Sequence, residues 1–149
     1  AFMLPGFSAA DDVHGYLMFD GGPDFVRQLI EARGCVGTET APVILDDQTM
    51  LPIAADTFAR DAIILAGGRT RRVSLLDKER RPLLTLLSSA PLTGLWAPRP
   101  DAPFVCIEPW WGRAVSVGFD GDFADRAYVN TLAVGQTFET SYLIVIDNI

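Results

Sequence analysis

Short apolar runs separated by turn-forming residues make up most of the chain. Clusters of Gly, Pro and Asp interrupt these runs about every ten residues, and no stretch has the apolar repeat of an amphipathic helix of about a dozen residues. This spacing predicts an all-β fold, a sandwich or barrel. The predicted strands are residues 16–19, 43–45, 62–65, 72–76, 83–87, 93–97, 104–108 and 138–146, of which the last is the longest.

Two further segments fit more than one structure. Residues 25–30 could form a strand or one helical turn, and residues 55–60 could form one or two helical turns capped by Asp56. The runs at 72–76 and 83–87 flank a charged connection, which predicts a β-hairpin. Because the sequence contains no internal repeat and no low-complexity linker, we expect residues 1–149 to form one β-sandwich unit.

Composition narrows the class of protein. The chain has 149 residues, 49% hydrophobic and 21% charged, which is typical of one globular domain. No apolar run approaches the roughly 20 residues of a membrane helix, and no charged leader precedes an apolar stretch. We therefore expect a soluble, cytoplasmic protein without a membrane partner. The net charge of −7 disfavours nucleic acid as a partner, because nucleic-acid binding requires positive charge.

Cysteine, histidine and arginine residues indicate little chemistry of their own. Cys35 and Cys106 lie in apolar runs and are predicted to be buried free thiols. With one histidine and two isolated cysteines, the sequence lacks the ligand spacing of a zinc site, so we expect no metal. The basic residues of segment 69–72 flank one strand, where they could protect a sheet edge or bind phosphate.

The segment 103–113, with the sequence PFVCIEPWWGR, carries the most specific pattern. Glu108 precedes a proline, which favours extended backbone, so we expect it at the end of a strand. The rings of Trp110 and Trp111 could stack on the apolar face of a sugar while polar groups bind its hydroxyls. Since adjacent strand residues point to opposite faces, at most one of the two tryptophans faces the ligand, and both could instead be core residues.

The run 106–113 resembles the signature of aldose 1-epimerases, the galactose mutarotase-like proteins. Residues 119–122, 132–137 and 138–146 also resemble the C-terminal end of that family. The resemblance implies a large twisted antiparallel β-sandwich, of which this chain would be the second half, since the family's domain is normally much longer. A half-sandwich leaves sheet edges unpaired, so a homodimer, a partner chain or the rest of a larger product would cover the exposed edge.

The resemblance also implies an activity, the interconversion of the α and β anomers of a free hexose. A base removes the proton of the C1 hydroxyl and an acid protonates the ring oxygen, so the ring opens and recloses without a cofactor. Glu108 matches the family's base, and Asp61 matches an aspartate that binds sugar hydroxyls. The alternatives are a structural Glu108 bonded to backbone or to Arg113, and an Asp61 that caps a turn.

The acid departs from the family pattern. The family has a histidine before Pro-Ala-Phe, whereas this chain has Leu4 before Pro-Gly-Phe, and leucine cannot carry a proton. His14 could substitute at the sugar site, or it could be a surface histidine beside the acidic pair at 11–12. The sequence thus supports an epimerase-like enzyme, a catalytically impaired carbohydrate-binding protein on the same scaffold, or an inert fragment that needs a partner half.

Overall fold

The computed structural model describes residues 1–31 and 34–147, which form two antiparallel β-sheets. The strands are β1 Phe2–Met3, β2 Tyr16–Phe19, β3 Val26–Ile30, β4 Val36–Pro42, β5 Met50–Pro52, β6 Ile63–Ala66, β7 Arg72–Leu76, β8 Pro82–Ser88, β9 Leu92–Trp96, β10 Phe104–Trp110 and β11 Tyr142–Ile146. A short 3-10 helix, Phe123–Asp125, follows β10, and the described residues contain no α-helix. No helix in this part of the chain could therefore span a membrane.

The strands are arranged in one six-stranded and one five-stranded sheet. The first has the order β1-β10-β9-β6-β3-β4, and the second has the order β11-β8-β7-β2-β5. Every strand pair within these sheets is antiparallel. The predicted all-β antiparallel sandwich is thus confirmed.

The main hydrophobic core lies between the two sheets, because alternate residues of each strand point to the same side. In the six-stranded sheet, β6 contributes Ile63 and Leu65, and β10 contributes Val105 and Ile107. The opposite sheet contributes Leu17, Leu75 and Leu86, among others. The residues between these core positions in β6 and β10 therefore point to the outer face of the six-stranded sheet.

Several predicted elements are confirmed. Strands β2 and β7 have the predicted bounds, and segment 25–30 forms a strand, β3, and not a helical turn. The predicted hairpin is formed by β7 and β8, in which Ser74 pairs with Thr85 through their hydroxyl groups at 2.8 Å.

Three predictions about elements are wrong. Residues 43–45 form no strand, although the Val43 amide donates to the Phe25 carbonyl at 2.9 Å. Residues 55–60 form successive turns and no helix, with the Asp56 carbonyl accepting from the Ala59 amide at 3.0 Å. The last strand has five residues, fewer than the seven of β4, and it begins only at Tyr142.

Strand β11 lies at one edge of the five-stranded sheet and is exposed along its whole length. It pairs with β8 through one edge, for example Val145 with Thr85. Its apolar side chains are exposed on both faces, with Leu143 56% and Ile146 66% exposed. The expectation of an uncovered apolar sheet edge is therefore met at this strand.

Candidate functional site

The outer face of β10 carries Glu108. Because Val105 and Ile107 point into the core between the sheets, Cys106, Glu108 and Trp110 point to the opposite side. Glu108 is half-buried, and it lies within the strand, since β10 continues through Pro109 to Trp110. The expectation that Glu108 ends its strand is therefore wrong by two residues.

Strand β10 can contain a proline because one of its edges is largely open. Strand β1 pairs with β10 only at Phe104 and Val105, so within the described residues Pro109 pairs with β9 alone. A proline has no N–H to donate, and it is tolerated where that side of the strand faces no partner. At Glu108, this edge of β10 thus has no partner strand among the described residues.

Trp110 holds the Glu108 carboxylate directly. The indole Nε1–H of Trp110 donates to Glu108 Oε2 at 3.0 Å, between two residues that share one face of the strand. An indole is a donor only, so this bond requires an accepting oxygen and fixes the position of the Glu108 carboxylate. The alternative ion pair with Arg113 is not formed, since Arg113 donates to Ser116 Oγ and to the Ala114 carbonyl, both at 3.0 Å.

Gly94 makes room for this arrangement. It pairs with Glu108 on the neighbouring strand β9, and the Trp110 ring lies over it. A Cβ atom at position 94 would stand 2.5 Å from Cζ2 and 2.7 Å from Cε2 of Trp110, closer than real carbon contacts. The role of Gly94 could not be predicted from the sequence, because it depends on a strand pairing that no local pattern indicates.

A second tryptophan, Trp96, also belongs to this face. It pairs with Cys106, which lies on the same side of β10 as Glu108. Diagonal neighbours in an antiparallel sheet are about 7–8 Å apart, within reach of an aromatic side chain. The register therefore places Trp96 diagonally across from Glu108 on the same face, while the Trp110 indole bonds to Glu108 directly. Trp111, by contrast, follows the strand, and its carbonyl accepts from Asn130 at 2.7 Å.

Cys106 is the buried neighbour of Glu108 on β10, and it is a free thiol as predicted. Burial raises the pKa of the Cys106 thiol, the N-terminal ammonium opposes this, and the negative charge of Glu108 raises it further. The thiol is therefore protonated at neutral pH and does not act as a nucleophile.

A small second core fixes the Trp110 side of the site. Val36, Ile64 and Leu92 are buried there, and Trp110 and Tyr128 pack against them. The chain after β10 folds back over this cluster, since the Val36 amide donates to the Val115 carbonyl and the Val36 carbonyl accepts from Val117, both at 2.9 Å. Trp110 is thus held on several sides, which keeps its indole aimed at Glu108.

Asp61 occupies a turn before β6. Its φ of +66° is uncommon outside glycine, and its Oδ1 accepts from the following Ala62 amide at 2.6 Å. Asp61 lies three residues before Ile64, which shares a cross-sheet row with Gly94 and Glu108. The sugar-binding role of Asp61 stays a prediction.

The resemblance places the family's acid at position 4, but the Leu4 side chain lies on the inner side of the sheet, opposite to Glu108. The residue is 3% exposed and belongs to the core between the sheets, together with Val105 and Ile107. Its amide donates to the Pro103 carbonyl at 2.9 Å, which continues the β1–β10 pairing. A side chain at position 4 therefore points away from the Glu108 face.

His14 is buried and not on the surface, contrary to the commoner expectation for it. It is 5% exposed, its ring centroid lies 4.5 Å from that of Phe7, and its Nδ1 is buried without a hydrogen-bond partner. It lines a cavity of about 240 Å³ together with Phe58 and Phe104. His14 precedes β2 of the five-stranded sheet, and its role at a sugar site stays a prediction.

Comparison with known proteins agrees with the fold. No family model matches the chain. Protein LacX of Lactococcus lactis subsp. lactis, in its plasmid and chromosomal versions, is 28% identical over 116 residues. That match spans 77% of this chain and 39% of LacX, so the aligned segment covers well under half the length of those relatives.

Two solved structures match more of the chain. The galactose mutarotase related enzyme of Lactobacillus acidophilus superposes with a TM-score of 0.80 at 24% identity, over 99% of this chain and 49% of that one. A galactose mutarotase-like protein of Lactobacillus casei gives a TM-score of 0.71 at 20% identity, over 89% and 45%. The chain therefore has the galactose mutarotase-like β-sandwich fold and spans about half of such a protein, consistent with the predicted C-terminal half.

Proposed function

We propose that the chain is an aldose 1-epimerase-like protein that interconverts the anomers of a free hexose, with Glu108 as the general base. The single observation that carries this proposal is the Glu108–Trp110 hydrogen bond of 3.0 Å on the open outer face of β10. A base for anomer exchange must be ionised, fixed in position and accessible to a small sugar. The indole donor supports the second requirement, and the half-buried position supports the third.

The geometry suggests how a hexose would be held. The indole N–H of Trp110 donates to Oε2 of Glu108, which leaves Oε1 to accept the proton of the C1 hydroxyl. The rings of Trp96 and Trp110 lie on the same face and offer apolar surface to the C–H side of a pyranose. This arrangement would orient C1 towards the carboxylate without any metal or cofactor.

The acid is the weaker part of the site. Among the described residues, the one histidine, His14, is buried beside the opposite sheet, and Leu4 faces the core. Protonation of the ring oxygen would therefore come from water or from a residue outside this chain. We expect catalysis by the chain alone to exceed the spontaneous rate by less than a complete acid and base pair would allow, since each such group contributes about 10²–10⁴-fold.

A second candidate function is carbohydrate binding without turnover. The observation that favours it is the burial of Leu4, because even a histidine at this position would point into the core, away from Glu108. In that case the two tryptophans and Glu108 would bind the sugar and release it unchanged. A second copy or a partner chain along β11 would complete the sandwich in either case.

Exchange spectroscopy by NMR on ¹³C1-labelled glucose and galactose separates the two functions. We expect the wild type to accelerate anomer exchange and Glu108→Gln to return it to the spontaneous rate, because glutamine keeps the shape but cannot accept the proton. Glu39→Gln is the matched control, since Glu39 is an exposed glutamate on the far edge strand β4. Sugar binding with a spontaneous rate in every protein would contradict the enzyme and support the binding protein.

A further inference from the structure

Arg27 is a buried cation at the opposite side of the sheet from Glu108. It lies on β3, pairs with Leu65 of the inner face and is only 8% exposed. Its Nη2 donates to the carbonyls of Arg60, Asp61 and Ala62 at 2.9, 3.4 and 3.5 Å. All the side-chain hydrogen bonds that Arg27 donates within the described residues leave from this one nitrogen.

The charge of Arg27 is incompletely compensated by the described residues. The five ion pairs found among them do not include Arg27, and its Nε is buried without an acceptor. Burial lowers the pKa of Arg27, Arg60 lowers it further, and only Asp61 acts in the opposite direction. A buried charge without a partner is costly, so an anion beside this guanidinium would be stabilised.

A cavity adjoins the guanidinium. It has a volume of about 390 Å³, within the range of small-molecule sites. Its walls are mainly apolar and come from both sheets at their β4 and β5 edges, with Val43, Ile44, Leu51 and Ile63 among them. Its other polar lining comes from Thr57, whose hydroxyl already donates to the Pro52 carbonyl at 2.8 Å, and from the exposed carboxylate of Asp56.

We propose that this cavity binds a small monocarboxylate with an apolar body, whose carboxylate pairs with Arg27 and whose alkyl or aryl part contacts the apolar walls. A guanidinium matches a carboxylate in shape and hydrogen-bond geometry. Asp56 at the same cavity and the net charge of −7 disfavour a multiply charged anion such as phosphate. The site is separate from the proposed sugar site, because Arg27 faces the inner side of the sheet and Glu108 the outer side.

The test is an NMR titration of the ¹⁵N-labelled chain with sodium hexanoate, with hexanamide as the neutral analogue. We expect saturable shifts of the Val43, Ile44 and Arg27 signals with hexanoate and at least about tenfold weaker binding of hexanamide, equivalent to about 1.4 kcal/mol. Equal binding of the two compounds, or no saturable shift with hexanoate, overturns the proposal. Displacement of bound hexanoate by equimolar inorganic phosphate also overturns the proposal.

Three variants locate the site. Arg27→Gln removes the cation and should abolish hexanoate binding, while Arg69→Gln, at an exposed arginine, should leave binding unchanged. Because Arg27 also bonds the 60–62 turn, Ile44→Asp provides a variant that keeps those bonds and adds negative charge at the cavity, where Ile44 is 73% exposed. We expect Ile44→Asp to weaken hexanoate binding at least about tenfold. Unchanged binding in this variant overturns the assignment.

Discussion

At the residue scale, the Glu108 site depends on a glycine as much as on the carboxylate. The absence of a side chain at Gly94 lets the Trp110 ring lie across β9, and from there its indole reaches Glu108. The segment 108–111, with the sequence EPWW, could be recognised from the sequence alone. Its residues are adjacent in the chain, and a carboxylate next to aromatic residues is a distinctive pattern. Gly94 and Trp96 could not, because they lie beside Glu108 only through the register of β9 against β10.

Gly94→Ala tests this packing. The new methyl group would stand 2.5–2.9 Å from three atoms of the Trp110 ring, so the ring must move and the bond to Glu108 must lengthen. We expect a loss of about 1–3 kcal/mol in the free energy of unfolding and a red shift of tryptophan fluorescence. Gly112→Ala is the control, because its nearest contact would be an ordinary 3.4 Å to Tyr128 O. Equal stability of the two variants would contradict the packing argument.

Asp77 provides a pH-dependent prediction. Burial raises the pKa of Asp77, but two hydrogen bonds from Arg81 lower it by more. The Arg81 amide donates to Asp77 Oδ1 at 2.8 Å and Arg81 Nε donates to Oδ2 at 2.7 Å. The pKa of Asp77 therefore lies below its ordinary value of 3.8. The unfolded chain therefore binds the proton more readily than the folded chain. The stabilisation is present above about pH 4 and is lost as the pH falls through the lower folded pKa.

Thermal unfolding from pH 7 to pH 2 measures this effect. We expect Asp77→Asn to unfold at a lower temperature than the wild type at pH 7, with the difference shrinking below about pH 4. Asp24→Asn, at an exposed turn position, should follow the wild type throughout. If the unfolding temperature of Asp77→Asn lies below that of the wild type by the same amount at every pH, the ionised carboxylate contributes nothing to stability.

At the element scale, apolar strands were predictable and polar strands were not. Strands β2 and β7 have continuous apolar or alternating patterns, and their bounds agree with the sequence. Strand β4 is an edge strand with the exposed polar run Thr38, Glu39 and Thr40, so it has no hydrophobic signal, and the apolar run that follows it was mistaken for a strand. The predicted last strand begins too early, because residues 138–141 precede the segment that pairs with β8.

We expect the chain to self-associate through the exposed edge strand β11. Its open edge and its apolar side chains favour pairing with another strand. We expect the weight-average mass in analytical ultracentrifugation to rise with concentration for the wild type and much less for Val145→Lys. Val26→Lys is the matched control, since Val26 on β3 is 44% exposed and Val145 is 40% exposed. A similar mass dependence in all three proteins would exclude β11 as the associating edge.

At the scale of the whole molecule, Glu108 lies on the outer face of the six-stranded sheet, and the exposed strand β11 lies at an edge of the five-stranded sheet. The recognisable motif and the regular spacing of turns made the fold predictable from the sequence. The site was only partly predictable, because the side to which Leu4 points depends on the pairing of β1 with β10, and the burial of His14 depends on the packing of the opposite sheet. The solved relatives extend to about twice the aligned length, in line with an uncovered β11.

The most direct test of the account is the rate of hexose anomer exchange, measured by NMR on the purified chain with wild type, Glu108→Gln and Glu39→Gln side by side. The account predicts exchange above the spontaneous rate for the wild type and Glu39→Gln, and a fall to the spontaneous rate for Glu108→Gln. Exchange by Glu108→Gln as fast as that by the wild type, or no acceleration by any of the three, would contradict it.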